Sequence, residues 1–214
     1  MTSFFGQLAQ KPWLPIPGGP DNTVPLSPTK MGLRFFLGVV GVIFFLLIVA
    51  YGGRMAMEGA APPPEINLLW PNTIALILSS AVLQWSLYSA RRGRMENVRR
   101  GLIAAGVLAI CFVAGQLAAW WQLKNSSFFE MATPAIGFFY LLTGIHGLHI
   151  LGGLVALGRV TSTIFAGGKR VDPVPGIEVC TTYFHFMLGV WLLLFGLVFT
   201  GDNMELLLAL CGLR

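Results

Sequence analysis

Charged residues are scarce in this chain. Only 11% of its 214 residues are charged, while 55% are hydrophobic. A soluble domain carries about 25% charged residues. The composition therefore excludes an ordinary soluble domain and predicts one helical domain embedded in a membrane.

Acidic side chains are missing from the middle of every long apolar run. All nine acidic residues fall in predicted loops, in the termini or at the edge of a run, as Glu130 and Glu178 do. A transporter or pump that moves protons through its own interior normally places an acid inside the membrane. A small transporter is therefore the less favoured interpretation.

Motifs for common chemistries are also missing. The three cysteines, Cys111, Cys180 and Cys211, show no C-x-x-C spacing, and there is no G-x-S-x-G, H-E-x-x-H or phosphate-loop motif. The N-terminal stretch lacks the basic start and apolar core of a signal peptide. We therefore predict no catalytic residue, no metal site and no disulfide framework in this chain.

Five apolar runs are long enough to cross a bilayer. A run of 21 residues forms a helix of about 31 Å, which matches the hydrocarbon core. The predicted fold class is all-α, an integral membrane bundle of five transmembrane helices. A proline-rich cytoplasmic tail is predicted at 1–30 and a short interfacial segment at 201–214. The predicted spans are 31–51, 70–90, 101–123, 133–157 and 180–200.

Basic residues are distributed unequally between the two sides of this bundle. Eleven of the 14 lie on the side that holds the N-terminus and only three on the other. The positive-inside rule therefore predicts a cytoplasmic N-terminus and an external C-terminus. The densest group of basic residues is interpreted as a determinant of topology. Anionic lipid head groups are its expected secondary partner, and no role in binding nucleic acid is expected. The group comprises Arg91, Arg92, Arg94, Arg99 and Arg100.

The fourth run carries two of the three histidines. His146 and His149 are three residues apart, so a helix places them on one face, with Thr143 one turn before and Gly153 one turn after. Polar groups inside a membrane are costly and face protein or water. We expect the chain to pack against a neighbour along this stripe.

The third histidine, His185, is predicted near the inner start of the fifth span. It is the one residue that could supply a second axial ligand across the bundle from His146 or His149. Histidines hydrogen-bonded between helices are the preferred interpretation. A haem-binding cytochrome remains an alternative.

The stretch FYLLTGIHGLHILGG resembles the signature helix of subunit III of haem-copper terminal oxidases, the family of cytochrome c oxidase and quinol oxidase. The similarity covers about residues 31–200 and is to the five-span bacterial form. Four further stretches agree in the same order. They are Ala50–Arg54, Asn72 and Thr73 with Ser79 and Ser80, Gln116 with Trp120, and Tyr183–Leu192, which includes Trp191.

The chain departs from the family pattern at acidic positions. Ala119 and Leu188 stand where the family usually has Glu and Asp, and Leu68 and Leu69 occupy a region where many members carry Glu. The resemblance is therefore to a divergent member without internal acids.

The resemblance implies an accessory, non-catalytic subunit of a respiratory oxidase that reduces O₂ to water and translocates protons. Such a subunit packs beside catalytic subunit I and other oxidase subunits in the bacterial inner membrane, binds phospholipids, and supports stability and proton uptake. Haem and copper are expected in the partner, with no cofactor in this chain. An accessory subunit of a nitric oxide reductase, which shares the motif helix, is the alternative. Helix-packing roles are implied for Thr143, Gly144, His146, Gly147, His149, Gly153, His185 and Trp191.

Overall fold

A computed structural model describes residues 28–58, 67–125, 134–166 and 172–198. These residues form five helices and no strand, and each helix is long and apolar enough to cross a membrane. The predicted all-α, five-helix membrane bundle is confirmed, and the chain is a multi-pass membrane protein. The helices are α1 (Pro28–Glu58), α2 (Leu69–Arg91), α3 (Met95–Lys124), α4 (Pro134–Phe165) and α5 (Val174–Val198).

Each helix is longer than its predicted span. The predicted basic loop from Arg91 to Arg100 shortens to a tight turn, because α3 already begins at Met95. Gly93 in this turn has a φ of 71°, a conformation that favours glycine. We call this side of the bundle the arginine end. Most of the predicted tail and the whole segment 201–214 lie outside the described residues.

Helix α5 also begins earlier than predicted, at Val174 rather than at residue 180. The backbone N–H of Val174 donates to Asp172 Oδ1 at 3.0 Å, which satisfies one of the free donors at the helix start. Pro175 is tolerated there because first-turn N–H groups have no intrahelical acceptor. The earlier start moves His185 from the predicted end of the span to its middle.

Helices α2, α3, α4 and α5 form a ring in which each packs against the next, and α5 closes the ring on α2. Helix α1 packs outside this ring, against α4 and α5. The ring encloses a core that includes Leu76, Phe112, Leu142, Met187 and Trp191. A second cluster lies nearer the arginine end and includes Leu83, Leu102, Leu157, Ile177 and Phe184.

Small residues let α2 and α3 approach closely. A Cβ placed on Gly101 would lie only 3.0 Å from Ser86 Cβ. Ser86 Oγ donates to Val98 O at 3.2 Å, and Ser79 Oγ donates to Ala105 O at 2.9 Å. Glycine and serine thus allow close contact and provide hydrogen bonds between membrane helices.

Gly153 of α4 packs directly against two side chains of α5 and gives a direct test of this packing. A Cβ at Gly153 would lie 2.6 Å from Tyr183 Cε1 and 3.2 Å from Phe184 Cε2. Gly153→Ala should therefore displace Tyr183 and lower stability by about 1–3 kcal/mol.

The adjacent Gly152 is the matched control, since it is exposed on the same helix and its Cβ would meet nothing within 4 Å. Gly152→Ala should be neutral or slightly stabilising because alanine favours helix. Thermal unfolding in detergent compares the two variants. Equal effects would contradict a close contact at Gly153.

Candidate functional site

The indole of Trp191 connects α5 to α2. Its Nε1–H donates to Thr73 Oγ1 at 2.9 Å, and the Thr73 hydroxyl donates in turn to Leu69 O at 2.8 Å. Both Trp191 and Thr73 are buried. The hydroxyl therefore accepts from one helix while donating within its own, so both polar groups are satisfied inside the bundle.

Asn72 lies next to Thr73 and connects α2 to α3. Its Nδ2 donates to Gln116 Oε1 at 3.4 Å, and both side chains are buried. Gly115 lies directly beside the Asn72 amide, and a Cβ at that position would overlap it. The absence of a side chain at Gly115 thus makes room for this amide pair.

Trp120 connects α3 to α4. Its Nε1–H donates to Thr143 Oγ1 at 3.0 Å, and Thr143 Oγ1 donates to Phe139 O at 2.7 Å. Tyr140 adds a second link, because its hydroxyl donates to Trp120 O at 3.2 Å. The Trp120 ring also lies over Gly144. We call the resulting set of groups the polar core: Asn72, Thr73, Gln116, Trp120, Thr143, His146 and Trp191.

His146 is fully buried beside Trp191 of this polar core. Its ring centroid lies 6.1 Å from Phe44, 5.8 Å from Phe112 and 5.2 Å from Trp191. Neither ring nitrogen hydrogen-bonds to another described residue. The imidazole therefore packs as an aromatic ring among rings from α1, α3 and α5.

His149 joins the same region to α1. Its Nδ1 bonds Ile145 O at 2.8 Å, and its ring lies 5.7 Å from that of Phe44 and 6.4 Å from that of Phe36. Its backbone carbonyl accepts the Tyr183 hydroxyl at 2.8 Å. The stripe that was expected to contact a neighbouring protein therefore faces helices of the same chain. Gly147 lies off this stripe, and a Cβ added there would meet nothing within 4 Å.

His185 lies apart from the other two histidines. It is exposed on α5, and its Nδ1 bonds Thr181 O of the same helix at 2.8 Å. The resemblance implied that His185 ties α5 to a neighbouring helix. Within the described helices it makes no such contact. No group of three or more His, Cys, Asp or Glu side chains arranged for a metal occurs among the described residues.

Several basic residues at the arginine end contact acidic or aromatic side chains of this chain. Arg91 lies 4.0 Å from Glu178 Oε1, and Arg100 pairs with Glu96 one turn away on α3. The guanidinium carbon of Arg92 lies 4.0 Å from the centroid of the Tyr88 ring, and that of Arg99 lies 5.3 Å from the centroid of the Phe165 ring. Arg94 stands at the start of α3.

Two sets of contacts between helices were not predicted from the sequence. Ser79 and Ser86 hydrogen-bond from α2 to α3. Their spacing of seven residues, which returns to the same helix face, was the available signal. The other set involves Glu178, which accepts from Lys30 of α1 at 2.9 Å. That pair joins residues far apart in sequence, so no local pattern indicates it.

A family model described as cytochrome c oxidase subunit III matches residues 32–201. The chain belongs to the cytochrome c oxidase subunit III family. A probable cytochrome c oxidase subunit 3 from Mycobacterium leprae is 32% identical over 173 residues, covering 78% of this chain and 81% of the relative. Cytochrome c oxidase subunit 3 of Yarrowia lipolytica is 30% identical over 188 residues, covering 82% and 69%. That of Synechocystis is 31% identical over 175 residues, covering 78% and 73%.

The family assignment confirms the resemblance found in the sequence. As a subunit III, the protein is an accessory subunit of a haem-copper oxidase, and the names of its relatives favour the oxidase over the nitric oxide reductase alternative. The residues that carried the resemblance in four of the helices meet in the polar core.

The Trp191–Thr73 bond can be tested by removing one hydroxyl from subunit III. Thr73→Val keeps the shape of the side chain but leaves the buried Trp191 N–H without this acceptor. We expect a loss of about 1–2 kcal/mol in the free energy of unfolding.

Thr181→Val is the matched control, because Thr181 is also buried and, among the described residues, its hydroxyl bonds only Ile177 O of its own helix, at 2.8 Å. Thermal unfolding of both variants in detergent provides the measurement. A loss as large in Thr181→Val as in Thr73→Val would contradict a special role for the bond between α2 and α5.

Proposed function

We propose that this subunit III packs beside catalytic subunit I of a respiratory oxidase in a bacterial inner membrane and maintains the assembled enzyme. The observation that carries the proposal is the family match over residues 32–201. The polar core supports a structural role, since its hydrogen bonds run between helices or to the backbone. The chemistry of O₂ reduction then belongs to haem and copper in the partner.

Each histidine has surroundings that suit this role. His146 is enclosed by aromatic rings, the Nδ1 of His149 is bonded to its own helix, and His185 lies on a different face of the bundle. A bis-histidine haem needs two ligands that face each other across a gap. The arrangement of these rings supports the proposal that this chain holds no haem.

Any support for proton uptake would act through the partner subunit. The positions where the family usually carries acids are apolar here, and Ala119 is fully buried between the helices. Side chains without a titratable proton cannot relay one. We therefore propose that this subunit contributes to proton uptake by shaping and stabilising the catalytic subunit.

The proposed orientation places the arginine end and the N-terminus in the cytoplasm. There Arg92 and Arg99 stack on aromatic rings close to the membrane surface, where their guanidinium groups can reach phospholipid phosphates. Cation–aromatic stacking leaves the N–H donors at the edge of the guanidinium plane free to bind an anion. Phospholipid is therefore the proposed partner at this surface.

Isolation of the complex through a tag on this subunit tests the proposal. The chain should retain a large membrane subunit in mild detergent, and the complex should show reduced-minus-oxidised haem bands. The same chain expressed alone should show none. Haem retained by the isolated chain, or a tagged chain that captures no haem protein from its native membrane, would contradict the proposed role.

His146 gives a sharper prediction. His146→Leu removes a ring from the aromatic cage and should destabilise the subunit by about 1–3 kcal/mol, because a cavity or poor packing remains. The yield of assembled oxidase should fall while the position of every haem band stays the same. Leu148→Ala on the same helix is the control, because Leu148 is 68% exposed. A shifted haem band in His146→Leu would contradict a purely structural role.

A further inference from the structure

His185 is an exposed polar side chain in the middle of a helix long enough to cross a membrane, about 10 Å along the helix from the ion-paired Glu178. It is the twelfth of the 23 residues in the span Val174–Gly196, so about 16 Å of helix separates it from either end. Its Nδ1 is bonded to Thr181 O, and its Nε2 is directed away from that bond. An intramembrane histidine normally faces protein or water rather than hydrocarbon. We therefore expect a group that can hydrogen-bond to cover this side chain.

The exposed surface around His185 follows one side of α5. Thr182, His185, Gly189 and Leu192 recur at intervals of three or four residues, and all four are exposed. A Cβ added at Gly189 or Gly196 would meet no side chain or neighbouring helix within 4 Å, apart from the adjoining residues of α5. We call this surface the His185 face. It combines a polar group with glycines, as surfaces between membrane helices commonly do.

Two helices of the same chain border the His185 face. On one side the neighbouring Phe186 ring lies over Gly41 of α1. On the other side the Phe195 ring packs edge-on against Trp70 of α2, with centroids 5.0 Å apart. The His185 face is thus a strip of α5 that lies between α1 and α2.

At the arginine end, this strip of α5 ends at a group of ion-paired side chains. Glu178 accepts from Lys30 of α1 at 2.9 Å and lies 4.0 Å from Arg91 of α2. An apolar chain or helix that lies along the His185 face would therefore meet this ion-paired group near the membrane surface. The opposite end of the face bears Leu192, Leu193 and Gly196 and carries no charge.

We infer that the His185 face is the surface on which a transmembrane helix of another oxidase subunit docks, with a hydrogen bond to His185. This inference rests on the proposed function. A phospholipid provides polar atoms only at the membrane surface, and at the depth of His185 it offers acyl chain. A helix can present a hydroxyl, amide or indole side chain at that depth and can approach closely over Gly189.

Substitution of the face provides the first test, with oxidase assembly as the readout. Gly189→Leu should block close approach of the partner helix and reduce recovery of the co-purifying subunit at least tenfold. His185→Leu should weaken recovery several-fold, and His185→Gln should restore most of it, since an amide keeps the hydrogen bond. Gly152→Leu, on an exposed part of α4 with nothing within 4 Å, is the control and should assemble normally.

The variants must also fold. Thermal unfolding of each variant chain alone in detergent should match that of the parent, because the described contacts of His185 lie within its own helix and Gly189 is exposed. Unfolding at lower temperature in proportion to lost assembly would show that these residues stabilise the chain itself. That result would overturn the inference.

Photocrosslinking identifies what covers the face. A benzophenone amino acid at position 189, in the complex isolated from its native membrane, should give an adduct with a different membrane subunit. An adduct with lipid alone, or with a second copy of this chain, would overturn the inference. So would normal assembly of Gly189→Leu and His185→Leu. Failure of the parent chain to capture any haem protein would instead contradict the proposed function.

Discussion

The structure depends on the cost of leaving a polar group unpaired in hydrocarbon. Little water is available there to replace a missing partner, so hydrogen bonds within the protein strongly favour the arrangements that satisfy polar side chains on membrane helices. The Trp191 indole meets this requirement at Thr73, and the Trp120 indole meets it at Thr143. With the Asn72–Gln116 pair, these bonds run from α5 through α2 and α3 to α4 and fix the rotation of each helix.

Close packing depends on the same geometry. Glycines stand where a neighbouring side chain needs room, as Gly115 does beside Asn72 and Gly153 beside Tyr183. Helix α1 is held differently, outside the ring, by Phe44 packing on two histidines and by the Lys30–Glu178 ion pair. The interior contacts therefore hold the ring of four helices together. Exposed surfaces such as the His185 face do not take part in that packing and can contact a partner subunit.

Hydropathy and one motif predicted much of this fold. The number and order of the spans, the helical class and the subunit III family are confirmed, because each depends on signals within a single stretch of sequence. Helix starts were harder to predict, because Pro175 looks like a loop residue until Asp172 is seen to cap the helix. The rotation of α5 was also not predictable, since apolar residues surround it and a lone histidine at position 185 does not reveal which face is buried.

The central claim is that the intramembrane histidines of this chain belong to helix packing or to a protein interface, while haem belongs to a partner. An electron cryo-microscopy map of the complex isolated through this subunit tests it most directly. The account predicts haem density only in the partner, with His146 enclosed by the rings of Phe44, Phe112 and Trp191. Haem or metal density bound to His146, His149 or His185 would contradict it.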